Sequence, residues 1–243
     1  MTRAALACFV VLASLVSAAP AGAARVTWTP GGTEAPGVSP EESCSRYMAC
    51  APPTMLVSDD VGERNDLVVE AVPGFVVVRD AAAPLETSAP CTKNDDGSVS
   101  CPGGAYATVQ AGAGNDRVVA PAYTVYGDAG DDELAAATAY GGEGADTLTG
   151  SDAANFLTPG PGADAVDGRG GDDVIIEGEP APTADRLDGG EGNDEVRFDD
   201  RPVPVRVDLT FAQQEAGSFG EGNVVSNFER AAGGAGDDEL LGP

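Results

Sequence analysis

The sequence predicts an all-β fold of the solenoid kind, built from short strands stacked turn upon turn, and three observations carry that expectation. First, residues 141–176 divide without remainder into four nine-residue units, GGEGADTLT, GSDAANFLT, PGPGADAVD and GRGGDDVII. In each, position eight is a large aliphatic residue (Leu148, Leu157, Val166, Ile175) and position six is an oxygen donor (Asp146, Asn155, Asp164, Asp173). Second, one such apolar residue in nine fits neither the helical period of about 3.6 nor the strand alternation of about 2. It fits a six-residue turn followed by a three-residue strand, the glycines supplying Cβ-free turn positions and the triplet around position eight one inward side chain. Third, a single unit buries almost nothing. Stability must therefore come from neighbours stacked on it.

These units resemble the GGxGxDxUx nonapeptides of the repeats-in-toxin (RTX) family, whose fold is a calcium-binding parallel β-roll. The resemblance implies that successive repeats form opposite turns of a flattened coil, with calcium between turns two repeats apart. It pairs Asp146 with Asp164 on one edge and Asn155 with Asp173 on the other. The chemistry agrees, because calcium is a hard ion that takes roughly six to eight oxygens, and glycine turns offer carbonyls where the position-six carboxylate offers charge. Two departures weaken the second edge: Asn155 is neutral, and Ala153 stands where position four calls for glycine.

Further units surround the run. AGAGNDRVV starts at Ala111 (Asp116, Val118), GDAGDDELA at Gly127 (Asp132, Leu134), GGEGNDEVR at Gly189 (Asp194, Val196) and GGAGDDELL at Gly233 (Asp238, Leu240). By the same resemblance, the metal-holding set is Asp116, Asp132, Asp146, Asn155, Asp164, Asp173, Asp194 and Asp238 with the turn glycines. Those are Gly112, Gly114, Gly127, Gly130, Gly141, Gly142, Gly144, Gly160, Gly162, Gly168, Gly171, Gly189, Gly190, Gly192, Gly233, Gly234 and Gly236. The start at Gly127 falls 16 residues after Ala111 and 14 before Gly141, so the period slips there; loops or longer strands are expected to absorb it.

Before the repeats the chain reads in two parts. Residues 1–23 have the pattern of a secretory signal: Arg3, an apolar run from Ala4 to Val16, and the small residues Ala21-Gly22-Ala23. That run is shorter than the ~20 residues a membrane-spanning helix needs. Cys8 leaves with the signal, and Cys44, Cys50, Cys91 and Cys101 remain, an even number in a chain expected to be exported. Three pairings are open, and we expect the local one, Cys44 with Cys50 and Cys91 with Cys101, because Asp96-Gly97 between the second pair favours a tight hairpin. Neither spacing resembles paired zinc knuckles. Leu67–Val69 and Phe75–Val78 read as strands punctuated by Pro73-Gly74, and Asn65-Asp66-Leu67 resembles the second half of a nonapeptide. Residues 24–110 are thus expected to form a small, disulfide-stapled β-rich cap, and residues 111–243 the β-roll. Within the latter, Val203, Val205, Val207 and Leu209 alternate as in a half-buried strand that Pro204 places at an edge or a start. The unit at Gly233 should leave an end that frays or self-associates through Leu240 and Leu241.

Composition limits function. A net charge of −27 without histidine makes nucleic acid an unlikely partner, because nothing offsets phosphate repulsion, and direct membrane insertion is not expected. Without histidine there is neither an HExxH zinc site nor a Ser-His-Asp triad, and no GxSxG or GxxxxGK[ST] motif occurs. The expected function is that of a secreted calcium-binding β-roll, not an enzyme, in a structural, adhesive or matrix role, with a surface glycan or a second copy as partner. The alternative is a non-catalytic accessory or remnant of an RTX exoenzyme or toxin. Stacked acidic turns without cations repel, so metal binding supplies folding free energy. Far-ultraviolet circular dichroism should therefore show β-structure appearing with roughly millimolar calcium, fading with chelator, and poorly restored by magnesium. Identical spectra with calcium and with chelator would contradict calcium-coupled folding.

Overall fold

The structure is a computed structural model describing residues 24–29, 54–58, 64–102, 106–178, 183–199, 201–210, 214–218 and 221–242. Residues 1–23, expected to be a secretory signal, and Cys44 with Cys50 lie outside the described residues, which hold strands and turns and no helix.

Strands β1 (Arg25–Thr29) and β2 (Thr54–Ser58) pair antiparallel, Val26 opposite Val57. Next comes the hairpin of β3 (Asp66–Val72) and β4 (Phe75–Asp80), closed at Pro73-Gly74 with Gly74 at φ 82°. Only a residue without Cβ takes that backbone conformation cheaply. After β5 (Glu86–Thr87), which lies parallel to β1, β6 (Thr92–Lys93) and β7 (Val99–Pro102) form a second hairpin through Asp96-Gly97. Cys91 and Cys101 are joined across it with Cα atoms 4.2 Å apart, the expected local pairing. β8 (Tyr106–Gln110) runs parallel to β2, and β3 runs parallel to the first long strand of the roll, so residues 66–110 continue the stack.

The period slip has a specific form. β9 (Arg117–Ala129) and β10 (Glu133–Glu143), of 13 and 11 residues, each run along one face, round a corner and along the other. No glycine turn stands at that corner. From residue 147 the strands shorten to triplets: β11 (Thr147–Thr149), β12 (Phe156–Thr158), β13 (Ala165–Asp167), β14 (Val174–Ile176), β15 (Arg186–Asp188) and β16 (Glu195–Arg197). Every second triplet pairs in parallel, β11 with β13 and β12 with β14, so successive triplets lie on opposite faces. A hairpin of β17 (Val205–Asp208) and β18 (Gln214–Ser218) then interrupts the coil. The stack resumes with β19 (Asn223–Ser226) on β15 and β20 (Arg230–Ala232) on β16, while β21 (Glu239–Leu241) pairs with β17.

The core is two columns facing each other. Leu67, Val118, Leu134, Leu148, Val166, Leu187 and Val225 fill one face, and Val57, Val109, Val125, Ala139, Leu157, Ile175 and Val196 the other, all at most 2% exposed. Each large aliphatic contributes roughly 1.5–3 kcal/mol through burial, and only because a coil lies on either side of it. Leu240 lies uncovered, as expected of the C-terminal coil. It is 41% exposed and Leu241 39%, because β21 pairs with β17 alone among the described residues. Val205 and Val207 are buried as the alternation predicts, whereas Val203, before Pro204, is 41% exposed. In calcium, Leu148→Ala should cost about 2–5 kcal/mol in denaturant unfolding, whereas Leu240→Ser should cost about 0.5 kcal/mol or less. Equal costs would refute this distinction between interior and end coils.

Candidate metal centre

Six-residue turns connect the strands along two edges, and the position-six side chains form a hydrogen-bonded row down each. On the first edge, the backbone N–H of each member donates to the Oδ1 of the member one coil on. Asn65 donates to Asp116 (2.6 Å), Asp116 to Asp132 (2.8 Å), Asp132 to Asp146 (2.9 Å), Asp146 to Asp164 (2.7 Å), Asp164 to Asp185 (2.8 Å) and Asp185 to Asn223 (2.9 Å). On the second edge Asn155 donates to Asp173 (2.7 Å), Asp173 to Asp194 (2.8 Å), and Asp194 to Oε2 of Glu229 (2.8 Å). The turns need these bonds, since a glycine-rich turn leaves N–H groups that would otherwise be buried unpaired.

One carboxylate oxygen is thereby used in clipping coils together, and the other is not. Oδ2 of Asp132, Asp146, Asp164, Asp173 and Asp194 is buried without a hydrogen-bond partner. Those of Asp132, Asp146, Asp173 and Asp194 lie against position one of their own turn. A Cβ at Gly127 would strike both the carbonyl oxygen of Gly141 and Oδ2 of Asp132. At Gly141 it would strike the carbonyl of Pro159 and Oδ2 of Asp146, and at Gly168 the carbonyl of Gly189 and Oδ2 of Asp173. The missing Cβ lets a carboxylate oxygen and a carbonyl oxygen of the next turn converge. Inner turn glycines serve close approach as well: Gly130, at φ 135°, abuts the Gly114 carbonyl, and Gly144, also at φ 135°, abuts that of Gly130. Among the described residues no three acidic side chains converge on one point, so carbonyls must complete any cation site.

Electrostatics show what is missing. Burial, and then the neighbouring aspartates, push the Asp132 and Asp164 carboxyls up to about 7 and that of Asp173 to about 6, while Asp146 and Asp194 are also raised, burial first. A buried oxygen with neither donor nor counter-charge is costly as an anion. Oxygen donors alone, carrying negative charge and lacking a partner, suit a hard divalent cation.

A family model of the RTX calcium-binding nonapeptide repeat, in four copies, matches residues 140–175 and 183–199. These residues are RTX calcium-binding repeats. Calcium is accordingly the metal. No match was found among curated proteins or solved structures. The donor set fits the ion: the Oδ2 atoms and the turn carbonyls would hold it, and it would supply the positive charge these rows lack.

The rows also extend beyond the matched RTX segment. Asp116, Asp132, Asp146 and Asp164 share the first edge, and Asn155, Asp173 and Asp194 the second. Asp238 stands apart in the C-terminal coil, where its Oδ1 accepts the Val205 N–H at 3.0 Å and a Cβ on Gly233 would strike its Oδ2. Gly234 lies against the Arg201 carbonyl and Gly236 against Pro204. Sequence reasoning missed Asp185, Asn223 and Glu229 as row members. The first two carry the signal that the repeats do, an Asx two residues before a buried aliphatic (Leu187, Val225). The departure at Asn155 also gains a cause. Because β9 and β10 turn their corner without a loop, Asn155 heads its row, and its Nδ2 donates to the Ala137 carbonyl at 3.3 Å. A carboxylate there could not donate. Asn65 heads the first row in the same way, its Nδ2 donating to the Ala111 carbonyl at 3.2 Å.

The pH dependence follows from the raised carboxyls. An acid whose folded pKa of about 7 exceeds its ordinary 3.8 binds more protons folded than unfolded between those values, so the metal-free roll loses stability as pH rises through that window. Calcium competes with the same protons. Circular dichroism of the calcium-free chain should therefore show β-structure increasing as pH is lowered from 7 towards 4, while calcorimetric calcium affinity falls over the same range. A metal-free spectrum that does not change with pH would contradict this origin of the instability.

Proposed function

We propose that this protein works outside the cell as a calcium-folded scaffold with an adhesive role, and that one face of the roll meets neutral polysaccharide. The observation that carries the reading is a difference between the two faces. On the face of β8, β12 and β14 with residues 124–126 of β9 and 138–140 of β10, the outward residues from Thr108 to Ile176 are uncharged. They include a row of Thr108, Thr124 and Thr138 followed by Phe156 and Val174, and beside it Gln110, Tyr126, Tyr140 and Thr158. Tyr126 and Tyr140 stack with ring centroids 4.7 Å apart, and Phe156 lies 6.2 Å from Tyr140. The opposite face carries Asp66, Arg117, Glu133, Asp167, Arg186 and Asp188 in its two outward rows.

On a chain with net charge −27, an uncharged patch on one face is where an uncharged ligand meets least desolvation cost, and rings with hydroxyls give it stacking and hydrogen bonds. Calcium would act by holding the strands in register, so that the rows exist only in the folded state. Secretion accords with the signal-like residues 1–23 and with an ion abundant outside cells. The exposed Leu240 and Leu241 support self-association through the C-terminal coil as part of the same role. No catalytic activity is proposed. Pull-down on insoluble neutral polysaccharides should capture the protein in calcium and release it in chelator, and Tyr126→Ala with Tyr140→Ala should reduce capture without changing the calcium-bound spectrum. Hydrolysis of the polysaccharide, or capture indifferent to the tyrosines, would overturn the reading.

A further inference from the structure

One gap in the first row differs from the rest. It lies between the turn that ends at Asp185 and the segment that reaches Asn223, where the hairpin of β17 and β18 is inserted. In it sits Arg201, fully buried, with Glu177 and Glu221 also buried. Four hydrogen bonds hold the guanidinium. Its Nε donates to the Gly178 carbonyl (2.6 Å), one terminal nitrogen to Glu177 Oε1 (2.9 Å), and the other to Ser218 Oγ (3.2 Å) and Glu221 Oε2. Its carbon lies 5.0 Å over the Phe198 ring.

The surroundings match those of a cation site. Asp132, Asp146 and Asp164 on the same row keep a buried Oδ2 without a partner, whereas the Asp185 carboxyl has the Arg201 charge in its surroundings. Glu177 Oε2 and Glu221 Oε1 are themselves buried and unpartnered, so two buried carboxylates from separate chain segments flank one positive group. We infer that Arg201 is the resident cation of this gap, a covalently attached substitute for the calcium ion that the other gaps of the row are built to take. Arginine suits the part because it stays charged at any relevant pH and its planar fork meets oxygens from several directions. The consequence is a junction that cannot lose its cation to a chelator. It joins the 177–178 turn, the hairpin at 218–221 and, through the Arg201 carbonyl receiving the Ala235 N–H at 2.9 Å, the C-terminal coil.

The test counts ions. Calcium bound per chain is measured by equilibrium dialysis for the wild-type protein, for Arg201→Gln and for the triple variant Arg201→Met, Glu177→Gln, Glu221→Gln. Arg201→Gln leaves the carboxylates without their cation and should bind one calcium ion more than wild type, with folding displaced to higher calcium. The triple variant removes charge of both signs and should fold with the wild-type count. An unchanged count in a folded Arg201→Gln overturns the inference. Should Arg201→Gln fail to fold, the triple variant decides: the wild-type count supports the inference, and loss of an ion or failure to fold overturns it.

Discussion

Everything in this structure hangs on the bond between a backbone N–H in one coil and an aspartate Oδ1 in the next. It sets the register of the coils, and it fixes the carboxylates of Asp132, Asp146, Asp164, Asp173 and Asp194 so that the second oxygen is buried and unpartnered. Folding the chain thus assembles rows of like charges about one coil spacing, ~4.8 Å, apart. At an effective dielectric of about 20, each neighbouring pair costs on the order of 3 kcal/mol. The aliphatic columns are one residue wide on each face, and a core that thin cannot offset such repulsion along the whole stack. A bound cation changes the sign of the problem by turning repelling neighbours into shared ligands.

The two rows are unequal, and the reason is geometric. A coil can turn its corner either with a six-residue glycine turn or with continuous strand, and β9 and β10 take the second course on one side. The second row consequently starts three coils later than the first. Each row opens with asparagine, Asn65 and Asn155, whose amide nitrogen reaches a carbonyl that a carboxylate would repel. Neutral residues thus stand where there is no earlier acidic turn to share an ion.

The charge solution at the C-terminal junction is of another kind. A buried ion pair seldom stabilises more than a well-packed apolar group of the same size, because desolvating the ions offsets their attraction. Here the carboxylates are set in place by the coil, and the relevant comparison is with leaving them unpaired. Arg201 meets that need with a covalently held group that cannot dissociate, and it does so where an inserted hairpin has to be fastened to the stack. The roll then combines exchangeable cations along its length with a fixed one near its end.

Much of this was legible in the residues alone. The nonapeptide period determined that coils stack, that position eight points inward and that position six lines the edges, because those properties repeat with local turn geometry. Pro73-Gly74 and Asp96-Gly97 marked two hairpins for the same local reason, and the second brought Cys91 to Cys101. What the tertiary structure decided are relations between coils. Bonded row neighbours lie 14, 16, 18, 21, 35, 38 or 51 residues apart, and no local preference selects among such separations. Only the stack reveals that Asp185, Asn223 and Glu229 belong to the rows, or that Arg201 fills a gap between them. Leu240 makes the same point from the other side. Its sequence context equals that of Leu134, DDEL in both, yet one is fully buried and the other is 41% exposed, since burial belongs to the neighbouring coil and not to the residue.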